Sequence, residues 1–378
     1  MHVLKHYLGI SKELPPRYMA NSTLVPVGLE NGSNNCYCNA VLQALFPAND
    51  FREGVIRLMY SEAEITSCLG RLYERCTSSS GIQSAKKLLQ KICKKNEEFI
   101  MGDQQDAHEF LTYLINTMID EMKILDKNRK ITTTTVHLRD TDGSMDHARL
   151  KPKDKCNLKD KQQKAGSQQK RDWLSKLVEG YLRSETKCHK CNRISGTVEP
   201  FITLSLDIFE NSTIEDCIER YCAAELLTGK DRFFCDFCKD YCDASRSVVF
   251  EELPPVLIIH LKRFKFNMPQ AESYHRGHHE PFERLQYSVI SNRELILESR
   301  KQRYCVDYEL FSIVCHVGTS PHYGHYVTIS EVNKKWYSCD DLTTTKVGNV
   351  NEELGDDTTD GNSNSYILFY RMAALGTV

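Results

Sequence analysis

The order of hydrophobic patterns along the chain predicts an α+β fold. Apolar residues recur at helical spacing in segments before about residue 125, whereas from Trp173 onward they gather in short β-branched runs. The two kinds of segment do not alternate, which argues against a βα repeat. No internal repeat of about 20–50 residues is present, so no solenoid or propeller is expected.

Residues 1–21 carry no strong periodic signal and are expected as an N-terminal lead-in. Cys36-Tyr37-Cys38-Asn39-Ala40-Val41-Leu42-Gln43-Ala44-Leu45-Phe46 reads as a helix with Tyr37, Val41, Leu42 and Leu45 on one face. Asn34 and Asn35 suit its N-cap. A stronger helix runs from about Gln105 to Lys123, where Phe110, Leu111, Leu114, Ile115, Met118, Ile119 and Met122 repeat at helical spacing. From about 126 to 170 the composition changes to a run of threonines (Thr132 to Thr135) and then Lys151, Lys153, Lys155, Lys159, Lys161 and Lys164 among Gln and Ser. Such a stretch buries too little apolar surface to offset ordering and is expected as a flexible insertion. No aromatic residues interleave with its lysines, so a solvated linker is favoured over a nucleic-acid contact. Strands are expected at Val256 to Leu261, after Pro254-Pro255, and at Phe311 to Val314, Tyr326 to Ile329, Trp336 to Ser338 and Tyr366 to Tyr370.

Composition narrows the class. The 378 residues are 40% hydrophobic and 26% charged, ordinary globular values, and a net charge of −2 gives no reason to expect a polyanion partner. No stretch reaches the roughly 18 apolar residues a membrane helix needs. Residues 1–20 show no charged start followed by an apolar run, so the sixteen cysteines are expected in a reducing cytoplasmic or nuclear setting. There they serve as nucleophiles, metal ligands or small core residues.

Cys36 stands at the expected start of a helix, directly after Asn31-Gly32-Ser33-Asn34-Asn35. Unpaired N–H groups and the partial positive charge of a helix start both favour thiolate over thiol. Gly32 would let a substrate carbonyl approach the backbone. Cys38 lies about 200° further round the helix and cannot share the role.

Thirteen histidines compete to be its base. His325 is singled out by a hairpin: the strand Tyr326-Val327-Thr328-Ile329 and the strand Lys335 to Cys339 flank Val332-Asn333-Lys334, which suits a tight turn. A turn centred on Val332-Asn333 sets His325 opposite Asp340. A centre one residue later pairs it with about position 342, leaving Asp340 a diagonal neighbour. Either register brings a carboxylate to one imidazole nitrogen and leaves the other for a thiol. Asp341 points to the opposite face and is the weaker orienter. His322, in the preceding loop, is the fallback base.

Cys188-His189-Lys190-Cys191 and Cys235-Asp236-Phe237-Cys238 form two CxxC pairs at the expected tips of adjacent hairpins. Four thiolates would close a tetrahedral zinc shell, against the alternatives of redox pairs or buried thiols. Cys242 and Cys222 are spare cysteines nearby. Tyr274-His275-Arg276-Gly277-His278-His279 reads as a solvated loop more readily than as a second metal site.

These segments resemble, in order, the signatures of the ubiquitin-specific proteases. Gly28 to Asn39 looks like the family's cysteine box, and Gln104-Gln105-Asp106-Ala107-His108-Glu109-Phe110-Leu111 like its second signature. Leu253 to Phe264 is similar to the strand entering the palm. Tyr323-Gly324-His325-Tyr326-Val327 with Trp336 to Asp341 resembles the histidine box, and Tyr366 to Tyr370 the closing strand. The resemblance implies a papain-like cysteine protease hand of helical thumb, zinc-tipped β fingers and β palm. It divides residues 22–375 into a thumb (about 24–125), the insertion (about 126–170), fingers (about 180–250) and a palm (about 251–375). It implies Cys36 as nucleophile, His325 as base, Asp340 as orienter and Asn31 as oxyanion donor. Asp106 and Glu109 match positions gripping the arginine-bearing tail of ubiquitin, consistent with carboxylate–guanidinium pairing. Gly324 and Tyr326 would narrow the approach to a Gly-Gly tail. Cys188, Cys191, Cys235 and Cys238 match the family's structural zinc site, and no catalytic cofactor is implied.

The implied activity is thiol-dependent hydrolysis after ubiquitin's C-terminal glycine, on ubiquitinated proteins. Cys-Tyr-Cys-Asn at positions 36–39 further resembles a small subgroup that associates with WD-repeat activators. Ser33 and Asn35 depart from the family's usual Gly and Thr, which leaves a ubiquitin-binding pseudoenzyme as the alternative. A zinc-ribbon nucleic-acid module would need a basic stripe, but residues 188–242 mix both signs of charge.

Overall fold

The computed structural model describes residues 24–32, 34–139, 171–266, 282–302, 305–320, 323–348, 350 and 364–373. The helical lobe comes first: α1 (Cys36–Leu45), α2 (Asn49–Arg57), α3 (Glu64–Ser78), α4 (Lys86–Lys95) and α5 (Ala107–Arg139). Every residue of α1 is buried, so this is a central helix wrapped on all sides. Pro47 follows its C-cap Phe46 and cannot continue the turn. The apolar face of α5 closes the lobe, with Phe110, Leu111, Leu114, Ile115 and Met118 fully buried. Glu121 of α5, itself 8% exposed, accepts from Ile65 N and Thr66 N (2.9 Å each) and so caps α3. A carboxylate at a helix start satisfies orphan donors and meets the dipole.

Two expectations are corrected here. Neither Asn34 nor Asn35 caps α1 with its side chain; Asn35 occupies the cap position but directs its amide to Glu30 O and Asn39 Oδ1. And α5 continues to Arg139, through the first part of the expected insertion, threonine run included; 140–170 fall outside the described residues. A helix already nucleated on a buried face propagates through residues whose own propensity is weak.

The chain then passes α6 (Trp173–Val178) into β1 (Gly180–Cys188), β2 (Ile194–Phe201), β3 (Thr203–Leu206), β4 (Ser212–Thr213) and α7 (Ile214–Cys222), which opens on a Thr213–Asp216 capping box. Next come β5 (Glu225–Leu227), β6 (Phe233–Cys235), β7 (Asp240–Cys242), β8 (Ala244–Glu252) and β9 (Val256–Leu261). A short hairpin of β10 (Phe264–Phe266) and β11 (Phe282–Arg284) leads to β12 (Val289–Ile290) and β13 (Glu294–Glu298). The last strands are β14 (Cys305–Ser320), β15 (Tyr323–Val332), β16 (Lys335–Asp340), β17 (Thr343–Lys346) and β18 (Asn364–Met372).

Strands β2-β1-β8-β5 make a long sheet that ends at the β6–β7 hairpin, and β17-β16-β15-β14-β18-β9-β3, with β13 on β14, make a larger one. Helices, long sheet and larger sheet are the thumb, fingers and palm of the expected hand. The palm strands are apolar on both faces at their centre: Leu257, Ile259 and Leu368 face one core, Ile258, Ile367 and Phe369 the other, shared with the helices. Thumb and palm meet where α1 lies on β15, and Thr328 Oγ1 donates 2.7 Å to Ala40 O inside that seam. No described helix is long and apolar enough to cross a membrane.

Candidate active site

The seam between α1 and β15 places Cys36 against His325. Cys36 is the first residue of α1 and 3% exposed. The side chain of the helix's N-cap residue, Asn35, makes no capping bond, and a helix start of this kind can meet an anion with its leading N–H groups.

His325 reaches the thiol through strand register. The turn of the β15–β16 hairpin is Asn333-Lys334, both at positive φ (52° and 61°), closed by the Val332–Lys335 pair. This is the primed turn that suits the twist of a hairpin, and it is the later of the two centres considered above. His325 thus stands diagonally from Asp340, and its Nε2 lies 2.6 Å from Asp340 Oδ1. Nδ1 is left for the sulfur. The hydrogen bond with the Cys36 thiol is the largest influence on the imidazole and, with Asp340 and against partial burial, raises its pKa from 6.5 to about 9. An imidazole so placed holds a proton at neutral pH, the condition for an ion pair with a thiolate.

Asn31 stands beside this pair. Its Nδ2 donates to Asp341 Oδ2 (2.7 Å), and its Oδ1 accepts from Asn35 N (3.0 Å). Since a backbone N–H only donates and a carboxylate only accepts, both contacts demand the same amide orientation. One Nδ2 hydrogen stays available. Asp341 also takes Asn39 Nδ2 (2.8 Å), and its own carbonyl accepts from Leu29 N (2.7 Å). Gly28 permits the approach: a Cβ there would lie 2.1 Å from Leu342 O. Contrary to expectation Asp341 does not point away: at φ 46°, just past the end of β16, it has a carboxylate oxygen within 4.8 Å of both the His325 ring nitrogen and an Asp340 oxygen, while its hydrogen bonds go to the amides of Asn31 and Asn39.

Beneath the histidine the floor is tight. Gly324 donates its N–H to Gln104 Oε1 (2.9 Å), and a Cβ on it would meet His316 Nε2 at 2.3 Å. Tyr326 is 3% exposed, its ring against His316 and Tyr366, so it supports the approach from below without forming its wall. Arg284 donates to the carbonyls of His316 (2.7 Å) and Gly318, on either side of Val317, the register partner of His325. Asp106 is 5% exposed and committed: Oδ1 accepts from His108 N (2.7 Å) and Glu109 N (3.0 Å), capping α5, and Oδ2 accepts from Tyr366 OH (2.5 Å). Glu109 is exposed in the first turn of the same helix. Ser33 and His322 lie outside the described residues, as do residues 274–279.

The model of the ubiquitin carboxyl-terminal hydrolase family matches residues 27–370. The chain belongs to that family. It is a cysteine-type deubiquitinating hydrolase, similar to ubiquitin carboxyl-terminal hydrolase 4 of Arabidopsis thaliana (33% identical over 93% of each chain). It is also similar to ubiquitin carboxyl-terminal hydrolase 12 of Salmo salar (31% identical, over 91% of this chain and 89% of the relative). Its fold matches the SAGA DUB module of Ubp8, Sgf11, Sus1 and Sgf73 bound to monoubiquitin, with a TM-score of 0.69 and 20% identity over 98% of this chain and 74% of that one. The same module bound to ubiquitin aldehyde matches with a TM-score of 0.68, 20% identity and cover of 98% and 75%.

In this hydrolase the second cluster of thiols stands at the end of the fingers. Cys188, Cys191, Cys235 and Cys238 have sulfurs within 4.8 Å of one another, and Cys191 and Cys235 are 3.7 Å apart. Sulfurs about 2.3 Å from a tetrahedral zinc stand roughly 3.8 Å apart, so the four fit that ion closely.

Sequence reasoning missed Asn39, Gln104, Arg284 and Thr328. Asn39 and Gln104 lay inside the quoted signatures, and polar residues within otherwise apolar helix starts are the signal that could have drawn them out. Arg284 and Thr328 carry no such signal; only the bulge of β14 and the seam give them partners.

Proposed function

We propose that this chain hydrolyses the peptide or isopeptide bond following the C-terminal glycine of ubiquitin. The observation that supports it most is the meeting of Cys36, at a helix start, with a His325 whose other nitrogen is held by Asp340. The thiolate of Cys36 adds to the glycine carbonyl. The oxyanion forms within reach of the Cys36 N–H and the spare Nδ2 hydrogen of Asn31, a donor typically worth about 2.7–4 kcal/mol. Imidazolium His325 gives its Nδ1 proton to the departing amine, and the C–N bond breaks to leave a thioester. Neutral His325 then takes a proton from water, whose oxygen attacks the thioester; collapse frees the ubiquitin carboxylate and restores the thiolate–imidazolium pair. Asp340 keeps the ring in the productive tautomer throughout.

Glu109 is the exposed acid positioned to pair with an arginine-bearing tail, while Asp106 acts by fixing the helix start that carries it. Cys188, Cys191, Cys235 and Cys238 would hold one structural zinc, whose closed shell ties the finger hairpins together and leaves no position for substrate. The exposed Phe234, Phe237 and Tyr241 at that end offer a surface for a protein partner, consistent with a WD-repeat activator. The described cysteines are all free thiols, which supports a cytoplasmic or nuclear setting.

Release of a fluorophore from the ubiquitin C-terminus tests the activity, comparing wild type with Cys36→Ala. Wild type is expected to turn over and Cys36→Ala to be silent; equal rates would overturn the assignment. A ubiquitin bearing a C-terminal electrophile separates enzyme from pseudoenzyme. An adduct on Cys36 supports the first, and binding without an adduct the second.

A further inference from the structure

Two imidazoles meet across the boundary of thumb and palm, away from the catalytic pair. His108 lies in the first turn of α5 and His260 in β9, with ring centroids 3.7 Å apart and planes 9° from parallel. Both rings are anchored. His108 Nε2 is 3.0 Å from Thr203 Oγ1 and His260 Nδ1 is 3.0 Å from Ser205 Oγ, two hydroxyls of β3. Tyr366 of β18 stands edge-on to His260, with centroids 4.9 Å apart and planes at 89°. Strands β3 and β18 flank β9 in the sheet, and Ser205 and Ile367 are the register partners of His260. Burial lowers the pKa of both imidazoles below 6.5; His108 and Lys262 lower that of His260 further, while Asp106 acts to raise that of His108. Both rings are neutral at pH 7 and stack without mutual repulsion.

As plain packing the pair is a poor choice. His260 Nε2 is buried with no hydrogen-bond partner among the described residues, a cost that an apolar ring in the same place would not carry. What the stack holds is more telling. Glu109 follows His108 directly, is exposed, and is the acid proposed above to pair with an arginine-bearing tail. The start of α5 is joined to the palm through Asp106 Oδ2, which accepts from Tyr366 OH, and through His108 on His260 and Thr203. The first contact holds the turn before the helix. The second holds the residue beside Glu109.

We infer that His108 and His260 are positioning residues whose stack sets Glu109 at the distance from the palm that a ubiquitin tail requires. Their effect falls on binding and not on chemistry, because Cys36 and His325 meet at another seam, where α1 lies on β15. The inference rests on the reading of Glu109 as the acid that meets the tail.

The test is steady-state kinetics of the full-length protein on a ubiquitin–fluorophore conjugate, separating KM from kcat. His260→Ala is expected to raise KM about tenfold with kcat little changed, the pattern of lost binding without lost chemistry. His260→Phe puts a flat ring back against His108 and is expected to return KM to within about threefold of wild type. Glu109→Gln should raise KM by itself, and adding His260→Ala to it should raise KM no further. Wild type without turnover, or Glu109→Gln with an unchanged KM, would overturn the underlying reading and the inference with it. A raised KM in Glu109→Gln beside an unchanged KM in His260→Ala would overturn the inference alone. So would a loss confined to kcat, no rescue by His260→Phe, or additive losses in the double variant. Where His260→Ala does not fold, Thr203→Val takes its place by removing the hydroxyl that anchors His108. It is expected to raise KM about threefold at constant kcat, and an unchanged KM would overturn the inference.

Discussion

The two thiol clusters of this chain are built in opposite ways. At the fingertip each pair of cysteines is three residues apart on one hairpin, and the two hairpins, though in separate sheets, lie together, with His189 N donating 2.9 Å to Asp243 O just beyond the second hairpin. In the cleft Cys36 comes from the first described helix and His325 and Asp340 from a late hairpin, and they meet only where thumb lies on palm. The fingertip can form as soon as two hairpins form. The cleft needs the whole domain folded.

The sharpest way to break that contrast is to strip the zinc that we propose the four fingertip thiols hold. A zinc held by four thiolates contributes on the order of 10 kcal/mol to the structure around it. Chelation is therefore expected to abolish hydrogen-exchange protection in β1, β6, β7 and β8 while α1 and β15 stay protected. Equal loss in both places would show that the two clusters are not independent.

The cleft should answer in turnover. His325→Ala is expected to lower kcat about 10⁴-fold, as removal of one member of a coupled set does, with ubiquitin binding retained by calorimetry. Asn31→Ala should cost about 10²–10³-fold. If Asp341 acts by aiming Asn31, adding Asp341→Asn to Asn31→Ala should cost nothing more, although Asp341→Asn alone slows the enzyme. Additive losses would give Asp341 a separate role.

These effects bear on how much could be read from the sequence. CxxC pairs, the apolar stripe of α5 and the helix start at Cys36 are local patterns, and the structure carries each of them. The choice between two hairpin registers was not local. It was decided by Asn333 and Lys334 both taking positive φ, and the hairpin arithmetic left it open. The cap at Asn35 failed because the amide found better partners in Glu30 and Asn39, a tertiary competition no propensity contains. The double duty of Asp106 was hidden likewise, since a charge match says nothing of a helix cap or of Tyr366.

The raised pKa of His325 yields a pH signature. Its protonated form is favoured by the Cys36 thiol first and Asp340 next, and deprotonation near pH 9 removes the acid needed by the leaving amine. So kcat/KM should fall on the alkaline side around that pH. Asp340→Asn takes away one of the groups raising the pKa, and the alkaline limb should move to lower pH. A limb that stays in place would mean the carboxylate acts on ring orientation alone.

The smallest effect concerns the seam itself. Thr328→Val keeps the shape of the side chain but deletes the hydroxyl that donates to Ala40 O. That carbonyl lies inside α1, where it also has the helix's own N–H partner, so the loss should sit at the low end of a buried hydrogen bond, about 1 kcal/mol, seen as a lowered urea midpoint. The comparison substitution is Lys190→Ala at the fingertip, which removes a 3.1 Å ion pair with Asp240 between side chains about 60% exposed. Such pairs contribute close to nothing, and neither stability nor kcat should change. Thr328→Val should also slow turnover a few-fold, because the hydroxyl fixes α1, and with it Cys36, relative to the strand bearing His325. If it lowers stability while kcat per titrated active site is untouched, the seam holds the lobes together without setting the distance between sulfur and imidazole, and the cleft is less dependent on global closure than its construction implies.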